Sequence, residues 1–132
     1  MLYTLKLSTP REGFLAITDK VHALIAEEGV SEGYCLVFCP HTTAGITINE
    51  NSDPDVKHDM LLGLDSAFGD DSRFRHAEGN SSAHLKASAM GASTLVPISD
   101  GHLVLGVWQD IYFCEFDGPR HRTCHVQIIS HA

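Results

Sequence analysis

Pro40-His41 interrupts two strand-like segments, and that interruption constrains the middle of the chain. Before it, Tyr34-Cys35-Leu36-Val37-Phe38-Cys39 is a short apolar run rich in strand formers. After it, Ala44, Ile46 and Ile48 alternate with Thr43, Gly45, Thr47 and Asn49, the period of a strand with one buried face. His41 therefore sits in a bend between two strands. Thr42 and Thr43 follow it with two hydroxyls, and Glu50 and Asn51 close the second strand with a carboxylate and an amide. An imidazole, small hydroxyl donors and a carboxylate are typical parts of a site for a metal or an anionic ligand.

The flanking segments set the fold class. Tyr3, Leu5 and Leu7 alternate with polar neighbours and predict a first strand; residues 9–13 turn, and Phe14 to Ile17 return. Thr18 is placed to cap a helix with Val21, Leu24 and Ile25 as its apolar stripe and Gly29 as its stop. Asp53-Pro54 starts a second helix, in which Val56, Met60, Leu64 and Phe68 recur at four-residue steps and predict one buried face. Residues 69–80 form a polar loop, long for a compact domain. Ser81 or Ser82 is placed to cap a short helix from Ala83 to Met90, ended by Gly91. Ala92 to Ile98 reads as a strand, Ser99-Asp100-Gly101 as a hairpin turn, and His102 to Trp108, Asp110 to Phe116 and Arg122 to Ser130 as further strands. The expectation is a single compact α+β domain over residues 1–132, about seven or eight strands in largely antiparallel sheets packed with about three helices.

Charge and composition narrow the partners. A net charge of −8 argues against a nucleic-acid or anionic-membrane surface. No apolar run is long enough to span a membrane, and Met1 to Leu7 lacks the basic start and long apolar stretch of a secretory leader, so a cytoplasmic location is expected. Cys35, Cys39, Cys114 and Cys124 form no C-x-x-C pair and read as small buried hydrophobes. Trp108 reads as a core or subunit-interface residue.

Among nine histidines the informative set is His41, His76 and His84: one at a strand bend, one in the polar loop, one in the first turn of the following helix. Three imidazoles from three elements with one position left open is a common catalytic zinc arrangement. Glu50, Asp53, Asp59 and Glu78 are candidates to orient the ligands or act as a general base. Thr42, Thr43, Asn51, Asn80, Lys86 and Arg120 are candidates for binding a phosphorylated substrate, with the backbone amides at the start of the short helix as further anion donors.

The strings His41-Thr42-Thr43-Ala44, Glu50-Asn51-Ser52-Asp53-Pro54, His76-Ala77-Glu78-Gly79-Asn80, Ala83-His84 with Lys86, Gly101 to Gln109, and Glu115 to Arg120 together resemble the YjbQ-like family, over about residues 3 to 130. The resemblance implies a homotrimer of α+β domains with a metal site whose ligands map onto His41, His76 and His84. It also implies a secondary thiamine-phosphate synthase activity, which joins hydroxymethylpyrimidine diphosphate to a thiazole phosphate and releases pyrophosphate. The ion expected on three imidazoles is zinc-like; magnesium, usually held on carboxylates, is the alternative for a phosphorylated substrate. Two other functions fit the same residues: a metal-dependent hydrolase of a phosphoester or amide, and a non-catalytic metal- or ligand-binding trimer.

Overall fold

A computed structural model describes residues 1–131. The chain forms β1 (Leu2–Ser8), β2 (Gly13–Ala16), α1 (Thr18–Glu28), β3 (Gly33–Phe38), β4 (Ala44–Glu50), α2 (Pro54–Ala67), α3 (Ser81–Met90), β5 (Ser93–Ser99), β6 (His102–Leu103), β7 (Gln109–Glu115) and β8 (His121–Ser130). The strands make two antiparallel sheets, one ordered β1-β8-β3-β5-β6 and the other β2-β7-β4. This is the expected α+β architecture.

Two apolar layers explain the stacking. Alternation along β3, β8 and β5 turns Cys35, Val37, Cys124, Val126, Ile128, Val96 and Ile98 inward, where they meet Ala44, Ile46, Ile111 and Phe113 of the smaller sheet. Helix α1 closes one end of this layer with the fully buried Val21 and Ile25. The opposite face of the smaller sheet, with Phe14, Tyr112 and Cys114, packs on Ala83 and Ala87 of α3 and on Met60, Leu61 and Leu64 of α2. The result is large sheet, small sheet, then helices. All four cysteines are buried and unpaired.

Several local expectations are corrected. Thr18 does not cap α1: its hydroxyl donates to Asp110 Oδ1 and accepts from the Ile111 amide, tying the helix start to β7. Neither Ser81 nor Ser82 caps α3, whose N-cap is Asn80; Ser82 Oγ donates instead to the Phe68 carbonyl at the end of α2. No residue of α2 is fully buried, because the helix rests on the sheet through half-buried side chains. The strand expected over His102–Trp108 stops at Leu103. The next ladder partner would be Pro97, which has no N–H to donate, and Val104 can only give its own amide to the Pro97 carbonyl at 2.9 Å. Val107 and Trp108 are consequently exposed, and Trp108 is not a core residue within this chain.

One glycine sets the distance between helix and sheet that the candidate site requires. A Cβ on Gly45 of β4 would lie 2.7 Å from the Gly91 carbonyl oxygen and 3.1 Å from Met90 Cβ. The close approach is held by Ile46 N–H donating to Gly91 O at 3.0 Å and Cys39 N–H to Ala92 O at 2.7 Å. Gly45→Ala is therefore expected to destabilise the fold by about 1–3 kcal/mol through overpacking. Thermal melting checks this; a melting temperature equal to that of the parent protein would contradict the contact.

Candidate functional site

The bend between β3 and β4 carries His41 because the ladder on β8 outruns its partner. Strand β3 ends at Phe38, opposite His125. The next residues facing β8 include Pro40, which cannot donate to a ladder. His41 takes over: its Nε2 lies 3.0 Å from the Thr123 amide nitrogen and 3.2 Å from the Thr123 carbonyl oxygen. One ring nitrogen thus has a donor and an acceptor of the same residue within reach. With the proton on Nδ1, Nε2 accepts from the amide; with the proton on Nε2, it donates to the carbonyl and leaves an Nδ1 lone pair free. Burial, followed by the Arg122 charge, holds the His41 pKa below its ordinary value, so the ring is neutral at neutral pH.

The close approach of α3 to β4 brings the first turn of that helix, with His84, to this bend. His76 enters from the loop before α3, where Gly79 at φ 73° closes a turn by donating its N–H to the His76 carbonyl, with N and O 3.2 Å apart. The His76 and His84 rings meet edge to face with centroids 5.4 Å apart. Pro40, His41, Thr42, Thr43, His76, Glu78, Asn80, His84, Arg120 and Arg122 line one open cavity of about 340 Å³. Glu78 is the one carboxylate in that lining, against three imidazoles and two guanidiniums.

The cavity floor is a buried ion pair that joins the two sheets. Arg122 of β8 donates from Nε and Nη2 to Glu115 of β7 at 2.8 and 2.6 Å, and from Nη2 to Thr43 Oγ1 at 2.8 Å. Glu115 is fully buried and also accepts from Thr9 Oγ1 at 2.6 Å and the Asp117 amide at 2.9 Å. Burial pushes the Glu115 carboxyl up, but hydrogen bonds from Arg122, Thr9 and Asp117 outweigh it and hold the carboxyl below its usual range. Asp117 then positions the rim: Oδ2 accepts from Asn80 Nδ2 at 2.8 Å and from Arg120 Nη2 at 2.9 Å. That contact orients the Asn80 amide and leaves its buried Oδ1 with no partner.

The sequence candidates separate into groups. His41, His76, His84, Thr42, Thr43, Glu78, Asn80 and Arg120 share the cavity. Lys86 does not: it is buried next door, paired with Glu12 at 2.9 Å and Asp65 at 3.1 Å. Glu50 and Asn51 lie at the far end of β4, roughly 20 Å from the bend at strand rise, where Asn51 Nδ2 donates to Asp110 Oδ2. Asp53 caps α2 and Asp59 is exposed. Glu115 and Arg122 were not anticipated. Their signal was available: Arg122 is in phase with Cys124, Val126 and Ile128, and Glu115 with Ile111 and Phe113, so each places a charge in an apolar row.

Among the described residues, no three His, Cys, Asp or Glu side chains stand close enough together to hold an ion as they are placed. The donor chemistry nonetheless fits a zinc-like ion: three imidazoles line one cavity, and the Thr123 carbonyl is a ready acceptor for the Nε2 proton that would free His41 Nδ1.

The family model described as UPF0047 protein YjbQ-like matches residues 3–131. The UPF0047 protein YugU of Bacillus subtilis is 52% identical over 98% of this chain and 99% of its own. A crystal structure of an uncharacterized conserved YjbQ/UPF0047 protein from Clostridium acetobutylicum superposes with a TM-score of 0.90 at 53% identity, covering 98% of this chain and 99% of that one. A YbjQ-like protein of unknown function from Sulfolobus solfataricus gives a TM-score of 0.93 at 31% identity, covering 99% and 97%.

Removing one member of the buried pair leaves the other charge uncompensated, so Glu115→Gln is expected to lower stability by about 3–5 kcal/mol at neutral pH. Because the folded pKa of Glu115 is depressed, its contribution is present above the unfolded carboxyl value and is lost as pH falls through the folded one. Urea unfolding from pH 7 down to pH 3 checks both; a stability difference between parent and variant that did not shrink on acidification would contradict the assignment.

Proposed function

This chain belongs to the YjbQ-like UPF0047 family, and from that premise we propose that the His41 cavity binds a phosphorylated small metabolite beside a divalent, zinc-like ion and acts on it as an enzyme. The observation that carries the reading is the donor-rich lining. In a protein with net charge −8, this cavity gathers three imidazoles, Arg120 and Arg122 around a single carboxylate. Such a wall favours an anion with several acceptor oxygens.

His41, His76 and His84 would hold the ion, and the scarcity of carboxylates favours a zinc-like ion over magnesium. When bound, it would supply a Lewis acid beside the substrate oxygens. The chain's own groups do the rest. Arg120, half-exposed and steadied by Asp117, pairs with substrate oxygens from the rim. Thr42 and Thr43 donate hydroxyl hydrogen bonds next to His41. Asn80 Oδ1 receives a substrate donor and gains the partner it lacks. Glu78, exposed on the loop, accepts or returns a proton.

The specific reaction proposed is that of a secondary thiamine-phosphate synthase, in which the cationic wall stabilises the departing pyrophosphate. The homotrimer expected from the resemblance is supported by the outer face of the five-stranded sheet, which leaves Leu2, Tyr34, Phe38, Leu95 and Ile129 exposed. In such an assembly Glu50 would serve a neighbouring subunit's site, with Asn51 beside it on Asp110.

The reading is tested by metal analysis of protein purified without an affinity tag, together with product analysis. We expect about one zinc-like ion per chain, largely lost in His41→Ala, His76→Ala and His84→Ala. Pyrophosphate with thiamine phosphate as products supports the synthase; inorganic phosphate or a cleaved amide would replace it with hydrolysis. Unchanged metal content in all three variants would reject the ligand assignment.

A further inference from the structure

We infer that His22 of α1 and His102 of β6 form a two-imidazole clip for a zinc-like divalent ion, a second and weaker metal site that uses no residue of the His41 cavity. The inference goes beyond the proposed function and does not rest on it.

His22 Nε2 and His102 Nδ1 lie 3.4 Å apart, and the two rings are parallel to within 5° with centroids 5.5 Å apart. The centroids are well farther apart than the nitrogens, so the rings meet through these two atoms. As a hydrogen bond the contact is poor: it is longer than the ordinary range, and only one of two facing nitrogens can carry a proton. As a chelate it is well matched. Two nitrogens bound to a tetrahedral ion at about 2.0–2.1 Å stand about 3.3–3.4 Å apart. An ion that takes both lone pairs satisfies both nitrogens at once, with the ring protons on His22 Nδ1 and His102 Nε2. Neither ring makes another hydrogen bond among the described residues.

The backbone holds both ligands in place. Val21, next to His22, and Ile25 are fully buried and fix that turn of α1. His102 pairs with Ser99 across the β5–β6 turn, where Asp100 and Gly101 take φ values of 52° and 75° and the Gly101 N–H donates to the Ser31 carbonyl at 3.0 Å. A pair fixed in this way loses little freedom on binding, and once one nitrogen is engaged the second is at high effective concentration. No third His, Cys, Asp or Glu joins them among the described residues. Two imidazoles without a carboxylate suit zinc, copper or nickel rather than magnesium or calcium. Water fills the remaining positions, because His102 is exposed, and two protein ligands in place of three make this the weaker site. The consequence is mechanical. Strand β6 pairs with β5 at only two positions, and the ion fastens it to a core helix just before the exposed Val107 and Trp108.

The test is a zinc titration of the full chain with 15N-labelled histidine, read at the ring nitrogens of the parent, His22→Gln and His102→Gln. In the parent, the His22 and His102 rings are expected to shift with one shared midpoint, at a lower zinc concentration than the exposed His121. In His22→Gln the His102 response should fall back to the His121 midpoint, and in His102→Gln the His22 response should do the same. Thermal melting without zinc checks that the variants fold, and the parent titration decides without them. Different midpoints for the two rings in the parent, a response no tighter than that of His121, or a His102 response that survives His22→Gln would overturn the clip. The signals of His41, His76 and His84 are read separately, so the clip and the proposed function can fail independently.

Discussion

The Arg122–Glu115 pair is the contact on which the rest of the structure depends. One partner comes from the five-stranded sheet and the other from the three-stranded sheet, and they meet at the end of the apolar layer between the two. Polar groups from three other places bond to them. Thr9 reaches in from the end of β1, Thr43 from the bend before β4, and the Asp117 amide from the turn after β7. Four separate stretches of chain are thereby fixed relative to one another at low dielectric, where an unpaired charge is strongly unfavourable. The site inherits its geometry from this junction.

From there the arrangement spreads outward by single contacts. Thr43 places the bend, and Thr123, next to Arg122, gives His41 its backbone partner. Asp117, two residues beyond Glu115, holds Asn80 and Arg120 together at the rim. Gly45, two residues beyond Thr43, lets α3 come close enough for His84 and His76 to share the cavity with His41. A cavity lined by three imidazoles and two guanidiniums in an acidic protein is thus the product of backbone register and one glycine as much as of the basic side chains themselves.

Much of this was legible in the sequence, for physical reasons that differ from residue to residue. Alternation marked the strands on either side of His41, and Gly29 and Gly91 marked helix ends, because both signals are local. The three histidines were chosen from separate elements, and they do line one cavity. Glu50 was grouped with His41 through proximity in sequence, although the strand reading itself implied a separation of roughly 20 Å. The sequence offers Lys86 as a substrate-binding cation, whereas a buried lysine needs carboxylates, and Glu12 and Asp65 come from elements distant in sequence. The capping errors at Thr18 and Ser82 have the same origin: a tertiary partner displaced the local one.

The account stands or falls on whether His41, His76 and His84 respond to one ligand together. The direct measurement is a zinc titration of protein carrying 15N-labelled histidine, following the ring nitrogens of all nine residues. The account predicts that the resonances of these three shift with one shared midpoint, His41 through Nδ1, while the other histidines respond only at higher concentration. Separate midpoints for the three rings, or a first response at the stacked His22 and His102 rings, would contradict it.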